Sequence, residues 1–468
     1  MLRGAGILLH IVSLPGGCHV GDLGPEAYKF VDSLIDAEQT YWQILPINHT
    51  LPEYGNSPYN AVSSYAGDPV LISLDKLAED KLLDVTPQCE PTDRVDYIKA
   101  WEIKGRALAK AFKKGKKLAD YRAFKEAAQW LEDYAVYMAL RERYGPWPNW
   151  PKEVKIPQQR VEFFKFAQFV FWSQWAELKR YANSRGVFII GDLPMYLNLD
   201  SVEAWRHREY FKITEGRPDY MAGVPPDYFS PTGQLWGNPV FNWEAVERDQ
   251  YRWWIERLRY LLSVVNYVRL DHFRGYVAYW EVPWGEKTAV RGKWTPGPGG
   301  RLFKKVQEAL GLDRLIAEDL GYITQDVVTL RDTLGIPGMK VLQFAWDGNP
   351  ANPHKPHNHV KNSLVYTGTH DNNTAVGWFL KEASPKARRE FLTYSSCRDE
   401  VNWCFIKLAY MSVADVAIIP MQDVLGLGEE ARMNKPGTAE GNWRWRLKTR
   451  PPAGVWRRLK KLAKLYGR

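Results

Sequence analysis

Three charged clusters in this chain each follow a short apolar run. Asp271 comes at the end of the run that begins at Tyr267, Glu318 follows Leu315–Ala317, and Asp371 follows the run 364–369. If the runs are strands that end at one shared edge, their carboxylates meet there. A pair of Asp and Glu side chains is the machinery that cleaves glycosidic bonds. The spacing therefore indicates acid/base and nucleophilic chemistry on a sugar.

The neighbours of these groups suggest different roles. Side chains alternate along a strand, so Arg269 and Asp271 fall on the same face. A guanidinium beside a carboxylate favours the ionised form, which a nucleophile requires. Glu318 follows an apolar segment, and burial raises the pKa of a carboxyl group, which suits a general acid. Asp371, beside His370, would bind sugar hydroxyls and stabilise positive charge on the ring.

Each cluster alone also has a simpler interpretation. An isolated Arg-x-Asp is commonly a structural ion pair, and an isolated His-Asp is commonly a hydrogen bond within a loop. Alternation does not separate Glu318 from Asp319 either. The hypothesis of a site depends on three clusters that come together from distant parts of the chain.

The elements that must position these groups are short apolar runs, as in buried parallel strands. The eight runs are Gly6–His10, Trp42–Pro46, Val187–Leu193, Tyr267–His272, Leu315–Asp319, Met339–Ala345, Leu364–Thr369 and Val416–Met421. Amphipathic segments such as Pro25–Gln39 and Phe163–Arg185 lie between them. Strands alternating with helices predict an α/β fold, a (β/α)8 TIM barrel in one catalytic domain over residues 1–468.

Two long connections interrupt the barrel pattern. Residues 48–166 contain Val95–Arg143, which is rich in Lys, Glu and Ala and has a high helical propensity. We expect an inserted, mainly helical subdomain there. Residues 198–242 are rich in Pro, Gly, Tyr and Trp, and such long irregular connections are typical of lids and substrate-binding loops.

At these residues the chain resembles the amylomaltases, or disproportionating enzymes, of glycoside hydrolase family 77. The resemblance extends from Gly6 to about Arg446. It is carried by the segments 21–24, 57–59, 191–194, 235–239, 269–273, 317–321, 368–372 and 432–445. The last of these, which reads Arg-Met-Asn-Lys-Pro-Gly-Thr-Ala-Glu-Gly-Asn-Trp-Arg-Trp, is long and specific.

The resemblance implies a retaining 4-alpha-glucanotransferase that moves α-1,4-glucan segments to the 4-hydroxyl of an acceptor sugar. Asp271 would be the nucleophile, Glu318 the acid/base and Asp371 the stabiliser of the transition state. The substrate-binding residues it implies are Ser57, Tyr59, Asp192, Tyr228, Trp236, Asn238, Arg269 and His370. Its partners would be maltooligosaccharides and α-1,4-glucans, with glucose or maltose as acceptor, and no metal or organic cofactor would be needed.

Composition bears on the possible partners. The chain has 21 Trp, 25 Tyr and 18 Phe, and aromatic faces suit the C–H faces of pyranose rings. A net charge of +9 raises the possibility of nucleic acid. The two dense basic runs, Lys104–Lys125 and Arg444–Arg468, are more typical of solvated helix faces. We therefore expect no nucleic-acid partner, and we expect the basic tail to be a helix that packs on the barrel.

The remaining signals concern compartment and metals. Cys18, Cys89, Cys397 and Cys404 have no CxxC spacing, which indicates neither a disulfide framework nor a zinc motif. A reducing cytoplasm is expected on that basis. No apolar run is long enough for a membrane span, so no membrane partner is expected. The cluster His354, His357 and His359 lacks Cys or a close carboxylate, which favours a polar loop over a zinc site.

Three other functions compete with the transferase. A hydrolase or branching enzyme of the α-amylase group would use the same carboxylates. A non-catalytic glucan-binding protein could retain the barrel, although the complete trio of carboxylates argues against it. A nucleic-acid binder has only the net charge in its favour.

Overall fold

A computed structural model describes residues 1–227 and 230–468 of the chain. The strands are β1 Gly4–Leu8, β2 Tyr41–Gln43, β3 Phe188–Leu193, β4 Ile213–Thr214, β5 Arg217–Pro218, β6 Tyr220–Val224, β7 Gln234–Pro239, β8 Tyr267–Leu270, β9 Ala278–Pro283, β10 Lys293–Pro296, β11 Leu315–Ala317, β12 Gly338–Val341, β13 Ser363–Tyr366 and β14 Val416–Pro420. The helices are α1 Pro25–Asp36, α2 Leu74–Glu79, α3 Tyr97–Gly115, α4 Ala119–Ala127, α5 Leu131–Tyr144, α6 Gln158–Ser184, α7 Val202–Arg206, α8 Trp243–Arg248, α9 Arg252–Val264, α10 Gly299–Leu310, α11 Gln325–Thr333, α12 Ala375–Gly377, α13 Pro385–Ser395, α14 Val401–Met411, α15 Met421–Val424 and α16 Ala453–Tyr466.

Within the described residues, eight parallel strands form the barrel in the order β11-β8-β3-β2-β1-β14-β13-β12. The first and last strands of this order, β11 and β12, approach each other. The Ala317 N–H of β11 donates to the carbonyl of Pro337, the residue before β12, at 2.9 Å. Each of the eight predicted apolar runs overlaps one of these strands. The prediction of a (β/α)8 barrel is therefore confirmed, although most strands end two or three residues earlier than the runs.

The barrel strands are buried on both faces, as parallel strands covered by helices must be. The approach of β1 to β2 requires a glycine, because a Cβ at Gly6 would lie 2.3 Å from the Tyr41 carbonyl oxygen. Since the C-terminal ends of all eight strands face the same way, the loops that follow them share one mouth.

The connection 198–242 is more regular than the sequence indicates. It contains α7 and the strands β4 to β7. Strands β6 and β7 join β9 and β10, which follow barrel strand β8, in a sheet of order β10-β9-β6-β7. This four-stranded unit, here the mouth sheet, stands over the C-terminal ends of the barrel strands because both of its halves emerge from loops there. The lid boundary 198–242 itself stays a proposal.

The connection between β2 and β3 contains α2 to α6, and the boundary 48–166 for a subdomain also stays a proposal. Lys104 of α3 corrects the prediction of a solvated basic face, because it is fully buried. Its ammonium donates to Asp22 Oδ2 at 2.9 Å and to the Ile72 carbonyl at 2.8 Å. Burial lowers the pKa of Lys104, and Asp22 opposes that shift. This ion pair links α3 to the loop that follows β1 of the barrel.

The four cysteines form two disulfides, so the interpretation that their spacing indicates no disulfide framework is wrong. Cys18 pairs with Cys89 and joins the loop after β1 to the connection between α2 and α3. Cys397 pairs with Cys404 and joins the end of α13 to α14. The fold brings together cysteines whose spacing carries no signal. The cytoplasmic location stays a prediction, without support from the cysteines.

Three smaller expectations concern the histidine cluster, a membrane-spanning helix and the basic tail. The histidines 354, 357 and 359 each hydrogen-bond to protein groups, and no group of three or more potential metal ligands occurs among the described residues. No helix in residues 1–227 and 230–468 is long and apolar enough to cross a bilayer. The basic tail contains α16, which buries Trp456, Leu459 and Ala463 and packs against α1 and α14.

Replacing Lys104 tests the anchoring of α3. The substitution Lys104→Met leaves the Asp22 carboxylate buried without its cation, and we expect the free energy of unfolding to fall by about 3–5 kcal/mol. Denaturant unfolding followed by circular dichroism measures the change. The double variant with Asp22→Asn should recover most of the loss, because the uncompensated charge is gone.

The matched control is Lys99→Met on the same helix, whose side chain is 64% exposed and whose ammonium lies 3.7 Å from Asp96 Oδ2. That change should stay within about 0.5 kcal/mol. Equal effects of the two substitutions would show that the buried ion pair does not hold α3 in place.

Candidate active site

The predicted catalytic carboxylates lie in the loops that follow β8, β11 and β13. The first two loops are hydrogen-bonded to their neighbours. The Asp271 N–H donates to the Leu193 carbonyl and the Glu318 N–H donates to the Leu270 carbonyl, each at 3.1 Å. The Phe273 N–H donates to the Glu318 carbonyl at 3.0 Å. Asp271 and Glu318 are thus placed side by side by main-chain bonds, before any side-chain contact is considered.

Arg269 links the acidic groups at the mouth. It lies on β8, is 3% exposed, and its Nη1 donates to Asp192 Oδ2 at 2.7 Å and to Asp271 Oδ1 at 3.1 Å. Its Nη2 lies 3.9 Å from Glu318 Oε2. Alternation correctly placed Arg269 and Asp271 on one face. A single buried guanidinium therefore contacts carboxylates from three barrel strands.

Glu318 is held by two main-chain donors, the N–H of His272 to Oε2 at 2.8 Å and the N–H of Leu320 to Oε1 at 3.0 Å. Burial raises the pKa of Glu318, and the negative charge of Asp271 adds to the shift, while Arg269 and the two N–H donors oppose it. The net shift is upward, which suits a group that must donate a proton near neutral pH.

The ambiguity between Glu318 and Asp319 is resolved by long-range contacts. Asp319 forms an ion pair with Arg331 of α11 and accepts the N–H of Met339 on β12 at 2.7 Å. These bonds turn its carboxylate toward the neighbouring strand and helix. Glu318 is the one of the two that lies beside Arg269 and Asp271.

Asp371 is oriented by the C-terminal segment 432–445. Asn434 Nδ2 donates to Asp371 Oδ1 at 2.7 Å, and an Arg432 guanidinium nitrogen donates to the Asp371 carbonyl at 2.8 Å. His370 Nε2 lies 3.3 Å from Asp371 Oδ2, and burial lowers the pKa of that imidazole. The residues Asn434 and Arg432 lie in the long motif of the resemblance, but no role was predicted for them.

Tyr59 connects the two sides of the mouth. Its hydroxyl donates to Asp192 Oδ2 at 2.7 Å, and its ring stacks on His370 with centroids 5.2 Å apart and planes 11° apart. Burial raises the pKa of Asp192, against the opposing effect of Arg269. The predicted residues Tyr59, Asp192, Arg269 and His370 thus form one connected set with the carboxylates.

Trp236 of β7 reaches the same set through His272. Its ring meets the His272 ring edge-on at 5.0 Å, lies 6.0 Å from the ring of Tyr196, and the residue is 37% exposed. That position fits an aromatic group at the edge of a glucan cleft. The other lid aromatic of the prediction, Tyr228, lies outside the described residues.

Two predicted substrate-binding residues hydrogen-bond to groups outside the set of carboxylates. Ser57 Oγ accepts the N–H of Tyr59 at 3.3 Å and so caps the turn that carries Tyr59. Asn238 Nδ2 donates to Asn60 Oδ1 at 3.3 Å. Neither has a hydrogen bond to a catalytic carboxylate, so their role in sugar binding stays a prediction.

Sequence reasoning missed two residues at the mouth. His272 has a left-handed backbone, with φ of +48°, which is costly for a non-glycine residue and is found where local geometry serves a site. Of the buried atoms without a hydrogen-bond partner among the described residues, three belong to this group: His272 Nε2, Tyr196 Oη and Asp192 Oδ1. Buried polar groups are usually hydrogen-bonded, so these three remain available for further partners. Nothing in the local sequence marks Tyr196.

The barrel and its mouth define a class of protein. Its acidic groups follow neighbouring barrel strands, and one has a raised pKa while another is paired with a buried guanidinium. This arrangement is typical of (β/α)8 enzymes that act on glycosidic bonds.

Comparison with known proteins identifies the family. The 4-alpha-glucanotransferase model of glycoside hydrolase family 77 matches residues 9–451. The chain is 45% identical to the 4-alpha-glucanotransferase of Aquifex aeolicus (strain VF5) over 100% of both chains. It matches the amylomaltase from Streptococcus agalactiae in complex with acarbose with a TM-score of 0.95 at 35% identity, covering 100% of this chain and 99% of that one. The chain therefore belongs to the 4-alpha-glucanotransferase family, and it is a transferase.

A more distant structure shares the fold. The amylomaltase from Corynebacterium glutamicum is 18% identical and superposes with a TM-score of 0.81, covering 99% of this chain and 75% of that chain. The competing interpretation of a hydrolase or branching enzyme is not favoured, because the relatives at 40% identity and above are 4-alpha-glucanotransferases.

The raised pKa of Glu318 predicts the shape of the pH profile. If Glu318 is the general acid, it must be protonated in the free enzyme, so kcat/KM with maltotriose should hold up to near neutral pH and fall as pH rises through that raised pKa. The rate with α-maltotriosyl fluoride should lack this alkaline limb, because fluoride leaves without a proton. Initial rates from about pH 4 to pH 10 measure both profiles.

An alkaline limb of equal steepness with both donors would contradict this assignment. Enzyme stability across the pH range is checked by returning samples to neutral pH before assay, so that unfolding is not mistaken for titration.

Proposed function

We propose that this transferase moves α-1,4-glucan segments by a retaining double displacement, with Asp271 as nucleophile, Glu318 as acid/base and Asp371 as stabiliser of the transition state. The observation that supports the proposal most is the contact of one buried guanidinium, Arg269, with Asp271 and with Glu318. It keeps a paired carboxylate beside a carboxyl group of raised pKa, and retaining enzymes need that combination.

In the first step Glu318 donates its proton to the glycosidic oxygen while Asp271 attacks the anomeric carbon. The bond between that carbon and the oxygen breaks, and the reducing-end fragment leaves as an alcohol. A covalent glycosyl ester on Asp271 remains. Arg269 stays paired with Asp192 throughout, and Asp371, held by Asn434, lies close to the positive charge that develops on the ring.

In the second step the 4-hydroxyl of an acceptor glucan attacks the same carbon. Glu318, now ionised, takes the hydroxyl proton, and the ester bond to Asp271 breaks. Two inversions give net retention, and one α-1,4 bond replaces another. Transfer over hydrolysis requires that an acceptor be held and water be excluded. Trp236 and the buried groups around Tyr59 and His272 supply apolar walls for both purposes.

The substrates follow from the site and from the relatives. The Streptococcus agalactiae amylomaltase is described with acarbose bound. We propose maltooligosaccharides and α-1,4-glucans as donors and acceptors, with glucose or maltose as the smallest acceptors. Their hydroxyls would bind Asp192 Oδ1, Tyr196 Oη and His272 Nε2, which lack protein partners among the described residues.

Incubation with maltotriose alone tests the activity. We expect a ladder of longer maltodextrins together with glucose, and little change in total reducing ends, because each bond cut is remade. Chromatography follows the products, and a parallel reaction in EDTA tests the expected independence from metal. A rise in reducing ends with only short products would make the enzyme a hydrolase.

Variants of the carboxylates test the roles. Asp271→Asn and Glu318→Gln should each lower kcat/KM for this reaction by about 100-fold or more. Glu153→Gln, an exposed carboxylate in the connection before α6, serves as the matched control and should retain activity. If either active-site variant kept its rate within tenfold of the parent enzyme, the assignment of that residue would be wrong.

A further inference from the structure

A row of aromatic side chains crosses part of the mouth sheet. Directly paired residues of antiparallel strands point to the same face. Trp294 of β10 pairs with Trp280 of β9, and Trp280 pairs with Gly223 of β6. Gly223 pairs in turn with Leu235 of β7, so the two tryptophans share one face of the sheet with Leu235.

The row continues beyond the edge of the sheet. The ring of Tyr322 stacks on that of Trp294, with centroids 6.2 Å apart and planes 22° apart. Tyr322 is 63% exposed, and both tryptophans are partly exposed. An aromatic ring as open to solvent as Tyr322 contributes little to the core, and it extends the partly exposed pair Trp294 and Trp280, whose rings meet edge to face with centroids 5.3 Å apart. Adjoining exposed aromatic rings of this kind are found at binding surfaces.

The rings at the end of the row are held in a fixed orientation. The guanidinium of Arg274 lies 4.0 Å from the Trp294 centroid and 5.3 Å from the Tyr322 centroid. The same guanidinium donates to Thr324 Oγ1 at 2.7 Å, which prevents it from turning away. Rings that are ordered in advance cost less entropy when a ligand stacks on them.

The row begins beside the acid/base. Tyr322 follows Glu318 by four residues, so their Cα atoms lie within about 14 Å of each other. Arg274 follows His272 by two residues, and the His272 N–H is a donor to Glu318. Tyr322 and Arg274, which lie at the end of the row, therefore both follow closely on segments that hold the Glu318 carboxylate.

We infer that Trp280, Trp294 and Tyr322 form a platform that binds the distal glucose units of a long acceptor or leaving glucan. The inference rests on the proposed function, because it is Glu318 that exchanges a proton with the leaving and the accepting chain, and these chains must pass on its side of the cleft. Pyranose rings offer apolar C–H faces to aromatic rings. The step from strand to strand, about 4.8 Å, is comparable with the length of one sugar unit.

The simpler interpretation is that the stack of Arg274, Trp294 and Tyr322 only fixes the loop after Glu318. The two interpretations differ in their dependence on chain length. A loop support matters equally for short and long glucans, whereas a distal platform matters only for a glucan long enough to reach it.

Kinetics with a short and a long glucan distinguish the loop support from the distal platform. We measure kcat and KM of Tyr322→Ala for maltotriose and for maltoheptaose, by release of glucose and of shorter chains. Losing roughly 60 Å² of apolar contact corresponds to a ratio change of about tenfold, so kcat/KM for maltoheptaose relative to maltotriose should fall by about that factor. Tyr322→Phe, which keeps the ring, should restore the parent ratio.

The control is Tyr394→Ala, which removes a 37%-exposed tyrosine from α13. It should leave the ratio unchanged, and thermal melting confirms that both variants fold. Equal losses for the two substrates in Tyr322→Ala, or no loss for either, would overturn the platform.

Binding without turnover keeps this test independent of the catalytic proposal. Calorimetric titration of Glu318→Gln with maltoheptaose should give a Kd about tenfold lower than that of Glu318→Gln/Tyr322→Ala, by the same area argument. Equal affinities would overturn the platform even if maltotriose is disproportionated normally. If the parent enzyme fails to disproportionate maltotriose while the affinity difference persists, the catalytic proposal fails and the binding surface stands.

Discussion

The buried guanidinium of Arg269 is the charge around which this active site is built. A cation that is 3% exposed is costly to bury unless carboxylates surround it, and here Asp192, Asp271 and Glu318 do so from β3, from the loop after β8 and from the loop after β11. Removing Arg269 would leave the Asp271 carboxylate without its cation at the mouth of the barrel. The constraint therefore fixes the relative positions of the groups that carry out the chemistry.

The rest of the mouth extends from this centre. Tyr59 donates a hydrogen bond to Asp192 and stacks on His370, which brings the loop after β13, with Asp371, against the Arg269 group. The C-terminal segment then closes over Asp371 through Asn434. Parts of the chain nearly 400 residues apart thus support one cleft, and main-chain donors, a strained His272 and buried hydrogen bonds make that cleft rigid before a glucan arrives.

How much of this was predictable depends on the range of the interactions. Apolar runs marked every barrel strand, because burial on both faces leaves a local signature, and alternation placed Arg269 beside Asp271. Local sequence could not separate Glu318 from Asp319, since the difference comes from Arg331 on another element. The disulfides, the burial of Lys104 and the stack of Trp294 on Tyr322 all depend on tertiary neighbours. The roles of the sugar-binding residues came from the family resemblance, and the contacts of Ser57 and Asn238 leave theirs untested.

The central claim, that Asp271 forms a covalent bond to the sugar while Glu318 acts as a separate proton donor, is tested most directly by mass spectrometry of a trapped intermediate. Glu318→Gln is incubated with α-maltotriosyl fluoride, whose leaving group needs no acid, and the protein is quenched and digested. We predict a maltotriosyl adduct on the peptide that contains Asp271, because the variant can form the ester but cannot activate an acceptor to release it. An adduct on another residue, or consumption of the fluoride with inversion and no adduct, would contradict the account.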